Sequence, residues 1–165
     1  MKHQRGMTLI ELVISIVIIG IAAAALYSAM ASIVGRSADP MLRQQSLAVA
    51  EGYLEEILAQ AYLDPSSFNT ASCAATAGLP RARFDDICDY SGLDDQGARD
   101  AAGDAITGLS DYRVRVAVST LAAWNGMPAR RIDVTVTDPS GQALMMAGMR
   151  TCYGEVDPSG VDRCP

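Results

Sequence analysis

One carboxylate stands where a carboxylate is costly. Glu11 opens an apolar run, and no other charged residue occurs in the 23 positions from Leu12 to Val34. An ionisable group inside a membrane span costs about 2.5–3.5 kcal/mol for Asp, Lys or Arg at mid-helix, so Glu11 needs either a cation beside it or a route to the headgroups. The other residues with chemical potential are Cys73, Cys88, Cys152 and Cys164, and the carboxylates Asp85, Asp86, Asp89, Asp94 and Asp95. Four cysteines allow three pairings, of which Cys73 with Cys88 and Cys152 with Cys164 closes the shortest loops. Zinc is disfavoured, because there is no CxxC and His3 is the only histidine.

The acidic stretch Phe84-Asp85-Asp86-Ile87-Cys88-Asp89-Tyr90-Ser91-Gly92-Leu93-Asp94-Asp95 invites a calcium reading. Calcium takes six to eight oxygens, and the stretch lacks the alternating Asp/Asn pattern and closing Glu of an EF-hand. A solvated loop whose Asp side chains cap turns, pinned by Phe84, Ile87, Tyr90 and Leu93, is the favoured reading. Five carboxylates could also flank a glycosidic bond, but acidic turns are too common for spacing alone to support that. With no histidine after His3, no Gly-x-Ser-x-Gly and no phosphate loop, the chain is not expected to be an enzyme or to hold a cofactor.

The element that positions Glu11 is the apolar run itself. At about 1.5 Å per residue, 23 residues can cross a hydrocarbon core of roughly 30 Å. Lys2 and Arg5 precede the run and Arg36 follows it, which places the N-terminus in the cytoplasm by the positive-inside rule. All four cysteines then face an oxidising compartment, where disulfides persist.

Gly6-Met7-Thr8-Leu9-Ile10-Glu11-Leu12 resembles the processing and assembly motif of type IV pilins and type II secretion pseudopilins. The resemblance implies cleavage by a prepilin peptidase between Gly6 and Met7, N-methylation of Met7, and a six-residue leader. It also implies that Glu11 pairs with the free amine of a neighbouring subunit, which supplies the missing cation. The family usually has phenylalanine at the position of Met7. Phe-Asp-Asp-Ile followed by Asp-Tyr-Ser-Gly-Leu further resembles a segment of minor pilins of mannose-sensitive haemagglutinin pili.

A competing processing route treats Leu12 to Ile21 as the core of a secretory signal cut at Ala22-Ala23-Ala24. It leaves Glu11 without a role, and the apolar run does not stop at the alanines. The net charge is −6, and losing Lys2 and Arg5 with the leader leaves −8 from side chains. An acidic head disfavours phosphate-backbone binding, and the pairs Arg81/Arg83 and Arg130/Arg131 read as solvated surface or salt-bridge partners.

Beyond the span, Asp39-Pro40 predicts a kink or a fresh helix start. Leu42, Val49, Ala50, Tyr53, Leu54, Ile57, Leu58 and Ala61 then recur at helical spacing, predicting an amphipathic helix over 41–62. Residues 63–111 read as an irregular connector. Tyr112, Val114, Val116 and Val118, then Ile132, Val134 and Val136, alternate as half-buried strands. Asp138-Pro139-Ser140-Gly141 predicts a turn, and Gln142 to Arg150 a third strand.

The expected organisation is a leader 1–6, a membrane and assembly helix 7–36, and a head 37–165 outside the cytoplasm. The head comprises the helix 41–62, the connector 63–111, a sheet 112–150 and a C-terminal loop 151–165. A helix laid on a small antiparallel sheet is α+β, which agrees with the pilin-like fold that the resemblance implies. That resemblance also implies the partners: prepilin peptidase, other pilin or pseudopilin subunits, and an inner-membrane assembly platform with its ATPase. It implies an inner-membrane single-pass protein with a periplasmic head before assembly, and a place in an extracellular pilus or periplasmic pseudopilus afterwards. The contrasting reading is a monomeric membrane-anchored binding module that keeps residues 1–6.

Overall fold

The computed structural model describes residues 8–68, 73 and 79–164, leaving aside the side chains of 32–39 and 122. Gly6 and Met7 lie outside the described residues. The chain divides into two compact units, Met1–Met41 and Leu42–Pro165, and the helix α1 (Leu9–Leu58) contributes to both.

In the first unit, the segment Leu9–Ala31 is long and apolar enough to cross a membrane. Every side chain from Thr8 to Ala31 is exposed, including those of Leu9, Ile10, Ile14, Ile18, Ile21 and Met30. A continuous apolar surface of this kind must be covered by lipid or by other apolar helices. The helix runs on through Pro40 with no fresh start, although proline removes one donor from the ladder.

In the second unit, α1 packs Ala50, Tyr53, Leu54 and Ile57 into the core, with Leu42, Val49 and Leu58 partly buried. The helix stops at Leu58, four residues short of the expected Tyr62. Facing it is a four-stranded antiparallel sheet in the order β1-β2-β3-β4: Asp94–Gln96, Arg113–Trp124, Met127–Thr137 and Ala143–Thr151. Val114, Val116, Ile132, Val134 and Val136 turn into the core, as the alternation requires. This helix on a small antiparallel sheet makes the head α+β.

The strand boundaries correct the sequence reading in two places. β2 and β3 run past Ser119 and start before Arg131, meeting at Asn125-Gly126, where both residues have positive φ (50° and 82°). That is the two-residue hairpin turn Asn-Gly favours. The connector 63–111 is also not wholly irregular, since it contains β1, which pairs with Arg113–Arg115, and a 3-10 turn, Arg81–Arg83. A three-residue strand rich in Asp carries no β-pattern of its own; its pairing comes from β2.

Three Asp-Pro-Ser segments turn the chain in one way. Asp138 Oδ1 accepts from the Ser140 amide at 2.9 Å, the Ser140 hydroxyl at 2.7 Å and the Gln142 amide at 2.9 Å. Asp157 Oδ1 does the same with Ser159 and Val161, and Asp64 Oδ1 with both groups of Ser66. An Asp side chain that mimics a turn carbonyl is the reason this tripeptide punctuates the fold. Disulfides join Cys73 to Cys88 and Cys152 to Cys164, the first closing a loop within the connector and the second pinning the C-terminal loop to the end of β4.

Candidate functional site

Glu11 occupies the first turn of α1. Thr8 precedes it as the cap: the Glu11 amide donates to the Thr8 carbonyl at 3.1 Å and to Thr8 Oγ1 at 3.4 Å. Thr8-Leu9-Ile10-Glu11 is the Ser/Thr-x-x-Glu spacing of a helix start, a role for Thr8 that the sequence reading missed although the spacing was visible. A carboxylate in the first turn also meets the positive end of the helix dipole. Ser15 donates its hydroxyl to the Glu11 carbonyl at 2.7 Å. Glu11 itself is exposed with its apolar neighbours, and among the described residues no cation pairs with it.

The five carboxylates of the acidic stretch do not act together. Asp94 forms a two-bond ion pair with Arg113 at 2.7 and 2.5 Å, and Asp95 Oδ2 accepts from Tyr53 at 2.9 Å and Arg81 at 2.7 Å. Asp89 Oδ2 accepts from the Asp85 amide at 3.1 Å. Asp85 and Asp86 instead come together with Asp64, with oxygens within 4.8 Å of one another. Burial, and then the nearby Asp89 charge, pushes the Asp85 carboxyl up; burial does the same to Asp86, against a hydrogen bond from the Cys88 amide. Hydrogen bonds from Ser66 hold Asp64 down. The carboxylates that do gather are thus two from the acidic stretch, Asp85 and Asp86, with Asp64 from outside it.

The arginine pairs split likewise. Arg83 and Arg131 are exposed, the latter paired with Asp133 at 2.8 Å. Arg81 and Arg130 are buried, Arg81 as the salt-bridge partner that was one of the two expected roles. Arg130 lies over the Tyr62 ring at 4.5 Å and donates to the Tyr62 carbonyl at 2.6 Å, tying the segment that follows α1 to β3. Arg81 grips Glu56 at 2.9 Å and Asp95 at 2.7 Å, while Tyr90 donates to Glu56 at 2.7 Å. Beside this network a groove of about 370 Å³ runs along Val49, Gly52, Tyr53, Ile106 and Leu109. The Tyr53 and Glu56 polar groups on its wall are already committed to the network.

Residues 1–27 match the family model described as the prokaryotic N-terminal methylation motif. The match supports a type IV pilin or pseudopilin subunit, a structural rather than catalytic class that is processed by prepilin peptidase, anchored in a membrane and assembled with other pilins. No curated protein and no solved structure matches the chain.

Proposed function

We propose that this chain is a structural filament subunit, a minor type IV pilin of the mannose-sensitive haemagglutinin kind. The observation that carries the reading is the coincidence of the methylation motif over residues 1–27 with a capped, fully exposed apolar helix holding one carboxylate, Glu11, in its first turn. Cleavage after Gly6 creates an amine on Met7, four residues before Glu11. In a bundle of such helices, the amine of one subunit and the carboxylate of another neutralise each other where neither has water. Before extraction, lipid covers the helix; afterwards, neighbouring helices do. One surface therefore serves as anchor and as polymerisation face, with Glu11 setting the register. The Phe84–Leu93 pattern favours the pilus over the pseudopilus, which shares the same N-terminal chemistry.

Glu11→Ala tests this reading. Cleavage and membrane insertion stay normal, and incorporation into filaments drops severely in sheared-pilus fractions. Normal incorporation would remove the pairing role.

A further inference from the structure

Asn125 and Gly126 turn the β2–β3 hairpin, and Asn125 is one of two asparagines in the chain. An asparagine followed by glycine places an electrophile beside a nucleophile. The carboxamide carbon of the first residue and the backbone nitrogen of the second can bond to close a cyclic imide. That bond is hindered by a side chain on the second residue, by a hydrogen bond from its amide, or by burial. The tip of this hairpin has none of these.

Both residues are exposed. Gly126 has no Cβ, and one built there would meet no atom within 4 Å, so the space beside its nitrogen is open. Its amide donates to no carbonyl among the described residues, and the Asn125 carboxamide has no partner among them. The turn is also lightly held. The β2–β3 register shifts between Leu121 and Trp124, so beyond the pair of Leu121 with Ala129 the tip is closed by the pair of Trp124 with Met127. Openings that break so few bonds are the least costly ones in a fold, and they give the carboxamide the freedom to reach the Gly126 nitrogen.

We propose that Asn125 is a site of spontaneous deamidation in the folded head, where water converts its carboxamide to a carboxylate through an imide with Gly126. A base in solution takes the Gly126 amide proton and the nitrogen bonds to Asn125 Cγ. The bond from Cγ to Nδ2 then breaks, and ammonia leaves. Water opens the imide at either carbonyl: at Cγ it gives aspartate, and at the backbone carbonyl it gives isoaspartate. One water is consumed and one ammonia released, with no oxidant or reductant.

The two products act differently on the hairpin. Aspartate leaves the backbone as it was, and Asp-Gly favours the same turn. Isoaspartate routes the chain through the side-chain methylene and so lengthens a two-residue turn whose length fixes the strand register. The pair of Trp124 with Met127 is then lost, and these two side chains, already exposed, separate. Either product adds one negative charge to a chain of net charge −6. Nothing in this inference uses the N-terminal motif, so it stands or falls apart from the filament reading.

The test incubates the full chain at rising pH, folded in detergent micelles and unfolded in denaturant. Peptide mass spectrometry follows residues 121–129 and isoelectric focusing follows the added charge. The folded chain should gain aspartate and isoaspartate at Asn125, faster as pH rises, and amide exchange should quicken from Leu121 to Ala129 in the isoaspartate fraction. Asn125→Gly keeps a favoured turn without the carboxamide and should abolish the acidic shift of this peptide. Asn125→Asp should leave melting temperature and exchange as in the unmodified chain. Gly126→Ala puts a Cβ beside the nitrogen and should slow the reaction severalfold; because alanine at a φ of 82° strains the turn, that comparison is made in denaturant. The proposal is overturned if Asn125 stays intact in the folded chain, whether or not it reacts in denaturant. It is equally overturned if Gly126→Ala reacts as fast as the wild-type chain, or if the isoaspartate form exchanges like the unmodified hairpin.

Discussion

The guanidinium of Arg81 lies 4.3 Å from the centre of the Tyr53 ring. The stacking places the cation between Glu56 on α1 and Asp95 on β1, so one side chain from the 3-10 turn joins helix, connector and sheet edge. Burial opposes the charge, but the hydrogen bonds with Glu56 and the nearby charges outweigh it and push the Arg81 pKa upward. Arg81→Ala removes the shared cation from two half-buried carboxylates, leaving Glu56 only its bond from Tyr90, and Asp95 its bond from Tyr53 and the long pair with Arg99 at 3.9 Å. We expect a loss of about 3–5 kcal/mol in head stability, measured by denaturant unfolding of the full chain in detergent. Arg113→Ala, which breaks the exposed pair with Asp94, should leave the stability of the head nearly unchanged. Equal losses in the two variants would contradict the clamp.

The same cluster predicts an alkaline limit. Burial, then the hydrogen bond to Glu56 and its charge, raises the Tyr90 phenol above its ordinary value of 10.0, and burial raises Tyr53. As pH rises, the unfolded chain releases these protons first. The stabilisation is therefore complete below about pH 10 and is lost as pH climbs through the folded-state pKa values. Melting temperature should fall from pH 10 to 12, and Tyr90→Phe should make that fall shallower. An unchanged slope would show that Tyr90 does not couple to folding.

At Gly148, β4 leaves no room beside Leu54 of α1 for a side chain. A Cβ built there would lie 2.9 Å from Leu54 Cδ1, and Leu54 is in the core. Gly148→Val should destabilise the head by about 1–3 kcal/mol through overpacking. Adding Leu54→Ala should recover part of that loss, giving a non-additive double-mutant cycle. Strict additivity would mean that the two residues do not share this space.

Much of the head could be read before its coordinates, because periodicity is a local property. The alternation at Val114/Val116 and Ile132/Val134/Val136 predicted the core strands, and the helical spacing of Ala50, Tyr53, Leu54 and Ile57 predicted the packed face. Two readable signals were passed over: Asn125-Gly126, which extends the hairpin, and Thr8 three residues before Glu11, which caps the helix. The rest is non-local. β1 exists because β2 lies beside it, and Asp95 is an ion-pair residue because Arg81, distant in sequence, is folded against it. Asp64 joins Asp85 and Asp86 across the connector, a grouping that spacing along the chain does not encode. Pro40 does not start a fresh helix, since α1 continues through it to Leu58.

The central claim is that the chain is cut after Gly6 and built into a filament through the helix that Glu11 opens. The most direct measurement is the mature N-terminus, by intact mass and N-terminal peptide mass spectrometry, from membranes containing the matched prepilin peptidase. The account predicts a chain that starts at N-methylated Met7. A start after Ala24, or a chain that keeps residues 1–6, would contradict it and leave Glu11 without an assembly role.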